Sequence, residues 1–473
     1  MKFEIPPNIL FLMSELENHG YEAYIVGGAV RDMLLETPVH DYDVATSATP
    51  EQVMEVFSSY QVIPTGIKHG TVTVVLEDDS CEVTTYRSDG KYTDSRHPDS
   101  ITFETDITKD LARRDFTFNA IAYKPPLHHK PPQFIDPYNG IEALGRGVIE
   151  VVGATPERFQ EDPLRIMRLL RFYMQLSHLH PQTMTLATYK AALDHMGLLR
   201  QISAERIRDE LSKILLWFDY KSYQADAQYQ ELFKAMLKVV IPEAERCVEY
   251  HQYNPYHHKD LLEHTLLAID FLNQSKYSRL DIALALFFHD IGKPDTAILD
   301  DKGVIHFYAH AIRSVELTKE IMTRLRFDTH TIEKVAELVQ HHDATLVPTK
   351  HSINRMINRL HHNQYEDLWM VCNCDWLAHN PSHPRYQPLI VELDACIILY
   401  REMQQAKQII TRKDLAINGN DIMDIGIPQG KQVGLVLENC LQMVISEQMP
   451  NDNRKLRAYV RLLKDTLELG KER

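Results

Sequence analysis

The chain lacks any apolar stretch long enough to cross a bilayer. Its longest apolar run of note, Ile282 to Phe288, falls far short of the roughly 20 residues that a spanning helix needs. The start, Met1-Lys2-Phe3-Glu4-Ile5-Pro6-Pro7, has neither the basic segment nor the apolar core of a secretory leader. Cysteine is sparse, six in 473 residues, and only Cys372 and Cys374 lie close together. Without zinc-ribbon spacing, this usage predicts reduced thiols in a cytoplasm. Positive charge is also in deficit: 51 Lys and Arg against 66 Asp and Glu give a net charge of −15. Indiscriminate binding to polyanions is thereby excluded, and any nucleic acid must be held by local basic strips. Candidate strips are Arg113-Arg114, the set Arg165, Arg168 and Arg171, and the run from Arg454 to Arg461. There is no internal repeat and no long low-complexity tract.

What is present is a globular chain, 44% hydrophobic, long enough for two to four domains. Apolar residues from Ile9 to Leu16 recur at helical spacing. Tyr24-Ile25-Val26 predicts a short buried strand, and Asp41 to Ala45 a second. Thr49-Pro50-Glu51 predicts a helix start, with Thr49 as N-cap and Pro50 at the first position. Gly70 to Leu76 and Cys81 to Arg87 predict a hairpin, and Lys124 to Pro132 a surface loop. Beyond about residue 151 helical patterns dominate. The fold class is therefore α+β, a mixed α/β head followed by all-α parts, with boundaries at 1–152, 153–235, 236–385 and 386–473.

The chemistry begins at Gly27-Gly28-Ala29-Val30-Arg31-Asp32, followed by Asp41-Tyr42-Asp43. Gly27 and Gly28 let backbone approach a triphosphate, and the helix that follows offers free N–H groups. Arg31, early in that helix, adds positive charge. Residues i and i+2 of a strand share a side, so Asp41 and Asp43 can hold Mg²⁺ together. Glu82 is a candidate third carboxylate. This is the minimum equipment for nucleotidyl transfer. Arg113-Arg114-Asp115 admits two readings, a structural salt bridge or a grip on the sugar and phosphates of a nucleotide. Glu161-Asp162-Pro163-Leu164-Arg165 likewise admits two. Asp162 and Arg165, at i and i+3 of a helix, can be a surface ion pair. They can also read a base. Cytosine and adenine both present an amino donor beside a ring-nitrogen acceptor, while uracil and guanine present the reverse.

Together, GGAVRD, DYD, RRDFTFNAI and EDPLRIMRLLRF resemble the class II tRNA nucleotidyltransferase and poly(A) polymerase family. Ile202 to Leu211 is similar to its final neck motif, and Leu415 to Ile422 to the tail of bacterial tRNA-maturing members. The resemblance implies a nucleotidyltransferase head, neck, body and tail, and addition of C, C and A to the 3′ end of tRNA from CTP and ATP. It implies that Gly27, Gly28, Arg31 and Arg114 contact the nucleotide and that Asp41 and Asp43 bind Mg²⁺. Asp162 and Arg165 then read the base, with Arg168 and Arg171 nearby, and the helical C-terminal part holds tRNA. The segment Asp89 to Pro98 resembles the flexible loop of CCA- and A-adding members, which disfavours addition of CC alone. An A-adding enzyme and a poly(A) polymerase stay as alternatives. So does a chain acting mainly as a phosphohydrolase on RNA ends.

The middle of the chain is rich in histidine, with 24 in all. His289-Asp290 ends an apolar helix, so two ligands leave one rigid element together, which suits mixed N/O ligation of a metal. The pattern resembles the HD phosphohydrolase domain. That resemblance implies His264, His289, Asp290 and Asp375 as ligands of a divalent transition metal, with His310 and His341 at the places of a second-metal set. It leaves open a catalytic centre or a scaffold.

Overall fold

The computed structural model describes residues 3–76, 79–90, 100–301, 303–361 and 364–469. These form two compact units, 1–245 and 246–473.

The first unit opens with helix Pro7–Asn18, which buries Ile9, Leu12, Met13 and Leu16, one face at helical spacing. It lies against a seven-stranded sheet. In spatial order the strands are Gln61–Gly66, Thr71–Leu76, Asp79–Thr85, Asp43–Thr46, Ala23–Val26, Ala122–Lys124 and Gln133–Ile135. Ala23–Val26 is buried at every position, as a strand covered on both faces must be. The expected hairpin is Thr71–Leu76 against Asp79–Thr85, and the surface loop joins the last two strands. Thr49 and Gln52 form a reciprocal capping box at helix Pro50–Val56.

Three expectations are corrected. The second strand starts at Asp43, so Asp41 lies in the lead-in and not on the strand. The hairpin strand ends at Thr85, and Arg87–Asp89 is a separate strand paired with Ile101–Phe103. Short strands also occur after residue 151: Thr183–Met184, paired with Val148–Ile149, and the pair Ala297–Leu299 with Ile305–Phe307. Two or three residues are too few to show a period of two.

Helix Leu164–Ser177 is buried on most of its circumference. Its Phe172 meets Phe116 and Phe118 edge-on at 5.5 and 5.3 Å. The guanidiniums of Arg31, Arg168 and Arg171 lie 5.3, 5.3 and 4.0 Å from the same ring. Aromatic packing and cation–π attraction thus meet at one side chain.

In the second unit, helix Leu280–Phe288 is buried at every residue from Ile282 to Phe288. Around it pack Leu261–Asn273, His310–Arg324, Thr329–His341 and Tyr365–Leu377. Leu415, Ile417, Ile422, Val436, Leu441, Leu456 and Val460 belong to a core of their own near the C-terminus. No disulfide joins the six cysteines, all buried. Among the described residues no helix is long and apolar enough to cross a membrane. Replacing Phe172 by Ala should cost the first unit about 3–5 kcal/mol, read as a lower denaturation midpoint in urea.

Candidate active site and a buried histidine–aspartate centre

A polar cleft of about 720 Å³ lies in the first unit, and ten of the residues expected there line it: Gly27, Gly28, Arg31, Asp41, Asp43, Arg114, Asp162, Arg165, Arg168 and Arg171. The glycine elbow is what lets them meet. Gly27 has φ +70°, and a Cβ there would stand 3.0 Å from Arg114 Nη1 and 3.9 Å from Asp43 Oδ2. Only glycine takes that conformation without strain while leaving room for both side chains. The next residues wind into helix Gly28–Leu34, which carries Arg31. Arg31 Nε donates to Asp32 at 2.8 Å and Nη1 to Asn119 Oδ1 at 3.2 Å.

Asp43 lies opposite Glu82 across the parallel pair of strands Asp43–Thr46 and Asp79–Thr85. Desolvation raises the Asp43 carboxyl above its usual range; Glu82 and Asp41 push the same way, and Arg114 opposes them. The acidic corner is short of positive charge, and oxygen donors of this kind fit a hard divalent cation. Arg114 Nη2 is anchored on buried Asp110 at 3.2 Å. It is therefore both a salt-bridge partner and a wall of the cleft.

The segment around Asp162 differs from expectation. Asp162 and Arg165 do not share a helix. Helix Thr155–Glu161 ends before Asp162, whose backbone is extended (φ −142°, ψ 96°), and helix Leu164–Ser177 starts after Pro163. Arg165 Nη1 pairs with Glu161 at 3.0 Å, and its Nη2 donates to the Arg113 carbonyl at 3.0 Å. Asp162 is paired instead with Arg206, at 2.8 Å. The surface ion pair is therefore excluded. Arg168 Nε donates to Asp115 at 2.7 Å, and Arg171 Nε to Glu210 at 2.7 Å. Sequence reasoning missed Asn119, Phe172, Gln175 and Lys213 in the lining, and Arg206 and Glu210 behind it. Arg206 and Glu210 fall inside the quoted neck motif, whose four-residue spacing on a polar face was the available signal. The flexible-loop segment, residues 91–98 of it, lies outside the described residues.

A profile described as the poly A polymerase head domain matches residues 23–150. One described as an RNA- and SrmB-binding site of polymerase A matches 183–246, and one for tRNA nucleotidyltransferase domain 2 matches 306–460. The CCA-adding enzyme of Anoxybacillus flavithermus is 31% identical over 451 residues, 95% of each chain. The chain belongs to the CCA-adding enzyme family. The family member of Oceanobacillus iheyensis is 30% identical over 95% of each chain. That of Geobacillus thermodenitrificans is 47% identical over 206 residues, 44% of this chain and 48% of the relative. Among solved family structures, the Bacillus stearothermophilus CCA-adding enzyme in complex with CTP aligns at a TM-score of 0.70 and 25% identity, over 98% of this chain and 100% of the other.

This family member carries a second polar centre, in its second unit. His264 Nε2 lies 2.8 Å from Asp375 Oδ1. His289 Nε2 lies 3.2 Å from Asp290 Oδ2 and 3.4 Å from Asp375 Oδ1. The other oxygen of Asp290 faces His310 and His342, whose Nε2 atoms are 3.3 and 3.5 Å away. His342 takes the place expected for His341. Successive helical residues point about 100° apart, so only one of the two neighbours can face the centre. His342 is buried, and His341 is half-buried beside it. The Nδ1 atoms of His289, His310 and His342 meet the carbonyl oxygens of Leu286, Phe307 and Val339 at 2.6, 2.8 and 2.8 Å. A carbonyl only accepts, so Nδ1 carries the proton and Nε2 is turned to the centre, as metal-binding histidines are oriented. Burial opposes charge on His289, but Asp290 and Asp375 outweigh it and push its pKa up to about 10.

Buried Asp115 has a pH consequence. Burial by itself raises its carboxyl, but Arg168, Asn119 and Arg165 pull it down to about 2. The stabilisation is fully present above the ordinary carboxylate range and is lost as pH falls from about 4 towards 2. Between those pH values the native protein should lose about 2 kcal/mol more stability than Asp115→Asn, as measured by urea unfolding at each pH.

Proposed function

We propose that this protein adds C, C and A to the 3′ end of tRNA from CTP and ATP, with no nucleic-acid template. The observation that carries the reading is the convergence of glycine elbow, paired aspartates and arginine set in one cleft, in a chain related along its length to CCA-adding enzymes. Gly27, Gly28, Arg31 and Arg114 hold the triphosphate and sugar. Asp41 and Asp43, with Glu82 beside them, would hold Mg²⁺. When bound there, the divalent ions supply activation of the RNA 3′ hydroxyl and neutralisation of the departing pyrophosphate. The new bond joins that oxygen to the α-phosphorus of the nucleotide. Asp162 accepts from the exocyclic amino group of C or A, Arg165 donates to the adjacent ring nitrogen, and Arg168 and Arg171 line the approach. Residues 1–152 form the head, 153–235 the neck, 236–385 the histidine-rich domain and 386–473 a tRNA-binding tail, in a cytoplasmic protein.

The test supplies Mg²⁺, labelled CTP or ATP, and tRNA ending before C74, after C75, or complete. Incorporation of C, C and A that stops there is the expected result. A single A alone would identify an A-adding enzyme, and long A tails a poly(A) polymerase. Asp41→Ala and Asp43→Ala should each lower the rate at least ~100-fold, given what such metal ligands contribute. Asp162→Ala should relax the choice of base more than it weakens triphosphate binding, read as kcat/KM for each nucleotide.

A second reading is favoured by two buried atoms, His289 Nε2 and Asp290 Oδ1, that make no hydrogen bond. Unsatisfied buried polar atoms are costly; His289 Nε2 faces Asp290 Oδ2 and Asp375, and Asp290 Oδ1 faces His310 and His342. We infer an HD-type centre in which His264, His289, Asp290 and Asp375 would hold one divalent transition metal, and Asp290, His310 and His342 a second. Bound metals would polarise a phosphoester, giving a phosphohydrolase that acts on RNA ends. Metal analysis after loading with Mn²⁺ or Ni²⁺ and desalting should find two ions per chain, and fewer than one in Asp290→Ala. Retention of both ions by Asp290→Ala would refute the shared carboxylate.

A further inference from the structure

Asp162 carries the proposed base reading, yet its own backbone gives it little support. It occupies an extended break between two helices. Its carboxylate is held by the amide of Leu164, which donates to Oδ1 at 3.2 Å, and by Arg206, 44 residues further along the chain. Arg206 Nη1 donates to Oδ1 at 3.2 Å and Nη2 to Oδ2 at 2.8 Å. This is a two-pronged clamp on one plane, with side-chain exposures of only 23% and 16%. The clamp rises from helix Ala204–Leu216. One turn on, the same face of that helix presents Glu210, which takes Arg171 and lies 3.8 Å from Arg168. A single helix thus fixes the acid of the cleft with a cation and two of its cations with an acid.

The orientation has a chemical consequence. Carboxylate oxygens accept best near the plane of the group, and a fork of two parallel N–H bonds sets that plane. Oδ1 is committed to the Leu164 amide and to Arg206, so Oδ2, which takes Arg206 alone, keeps a further lone pair for an incoming amino donor. A carboxylate free to rotate would present that lone pair over a wide arc, and the match to C and A over U and G would blur. We propose that Arg206 is a specificity-positioning residue: it aims Asp162 and thereby sets the preference for C and A, without itself touching the nucleotide. The proposal rests on the reading of Asp162 as the base-reading group. A purely structural ion pair between neck and cleft would stabilise the unit and leave base choice alone.

The experiment uses the full chain and Mg²⁺, with kcat and KM measured separately for CTP and UTP on tRNA lacking its terminal CCA and for ATP and GTP on tRNA ending at C75. The variants are Arg206→Met, Arg206→Lys, Arg206→Gln and Asp162→Ala, each checked by thermal melting. Arg206→Met should lower the kcat/KM ratios of CTP to UTP and of ATP to GTP at least ~10-fold, the size expected when one hydrogen-bonded reading contact is lost. Arg206→Lys, which keeps one charged donor, should recover part of the ratio. Should Arg206→Met fold poorly, Arg206→Gln against Arg206→Lys decides the same comparison. If the Arg206 variants keep the native ratios while Asp162→Ala loses them, the clamp is structural and the proposal falls. If Asp162→Ala also keeps them, the base-reading assignment falls first and takes the proposal with it.

Discussion

Like charges repel most strongly where water is scarce, and the cleft of this protein gathers Arg31, Arg114, Arg165, Arg168 and Arg171 into one partly buried volume. What permits it is a matching carboxylate behind each one. Asp32 serves Arg31, Asp110 serves Arg114, Glu161 serves Arg165, Asp115 serves Arg168 and Glu210 serves Arg171. Removing one member of such a pair leaves an uncompensated buried charge, so the lattice is cooperative. It also explains how a chain with a net charge of −15 presents a cationic surface to a polyanionic substrate. Five of the acids are paired with these arginines, and Asp41 and Asp43 stand beside them in the cleft.

Where function sits within a continuous segment, the sequence was readable. The glycine elbow, Asp43 and the arginines of helix Leu164–Ser177 emerged on the elements expected for them, because each depends on neighbours a few residues away. What stayed hidden is non-local or rotational. Pro163 is tolerated in a first turn, so its presence did not reveal that Asp162 stands outside the helix. The Arg206 clamp is invisible to any local pattern because its partner is 44 residues distant. His341 and His342 differ by one helical step, and only packing of helix Thr329–His341 against Leu280–Phe288 decides which faces Asp290. The short strands fail for a different reason: too few residues to carry a period.

The two polar centres meet the cost of burial differently. In the arginine set of the first unit, each guanidinium is paired with a carboxylate. In the second, Asp290 and Asp375 are met by imidazoles whose Nδ1 protons are already committed to backbone carbonyls, together with Lys293 at 2.6 Å from Asp290. Neutral imidazoles cannot balance two carboxylates, and the pull of Asp290 and Asp375 on His289 raises its pKa.

The sheet order carries a consequence for how the protein comes off the ribosome. Strand Ala23–Val26 sits between Asp43–Thr46 and Ala122–Lys124, so one of its edges stays open until about a hundred further residues have been made. An open, wholly apolar strand edge invites pairing with the wrong partner. The nascent head must therefore wait, shielded or slow, for a strand from the far end of its own domain before its most deeply placed segment is closed in.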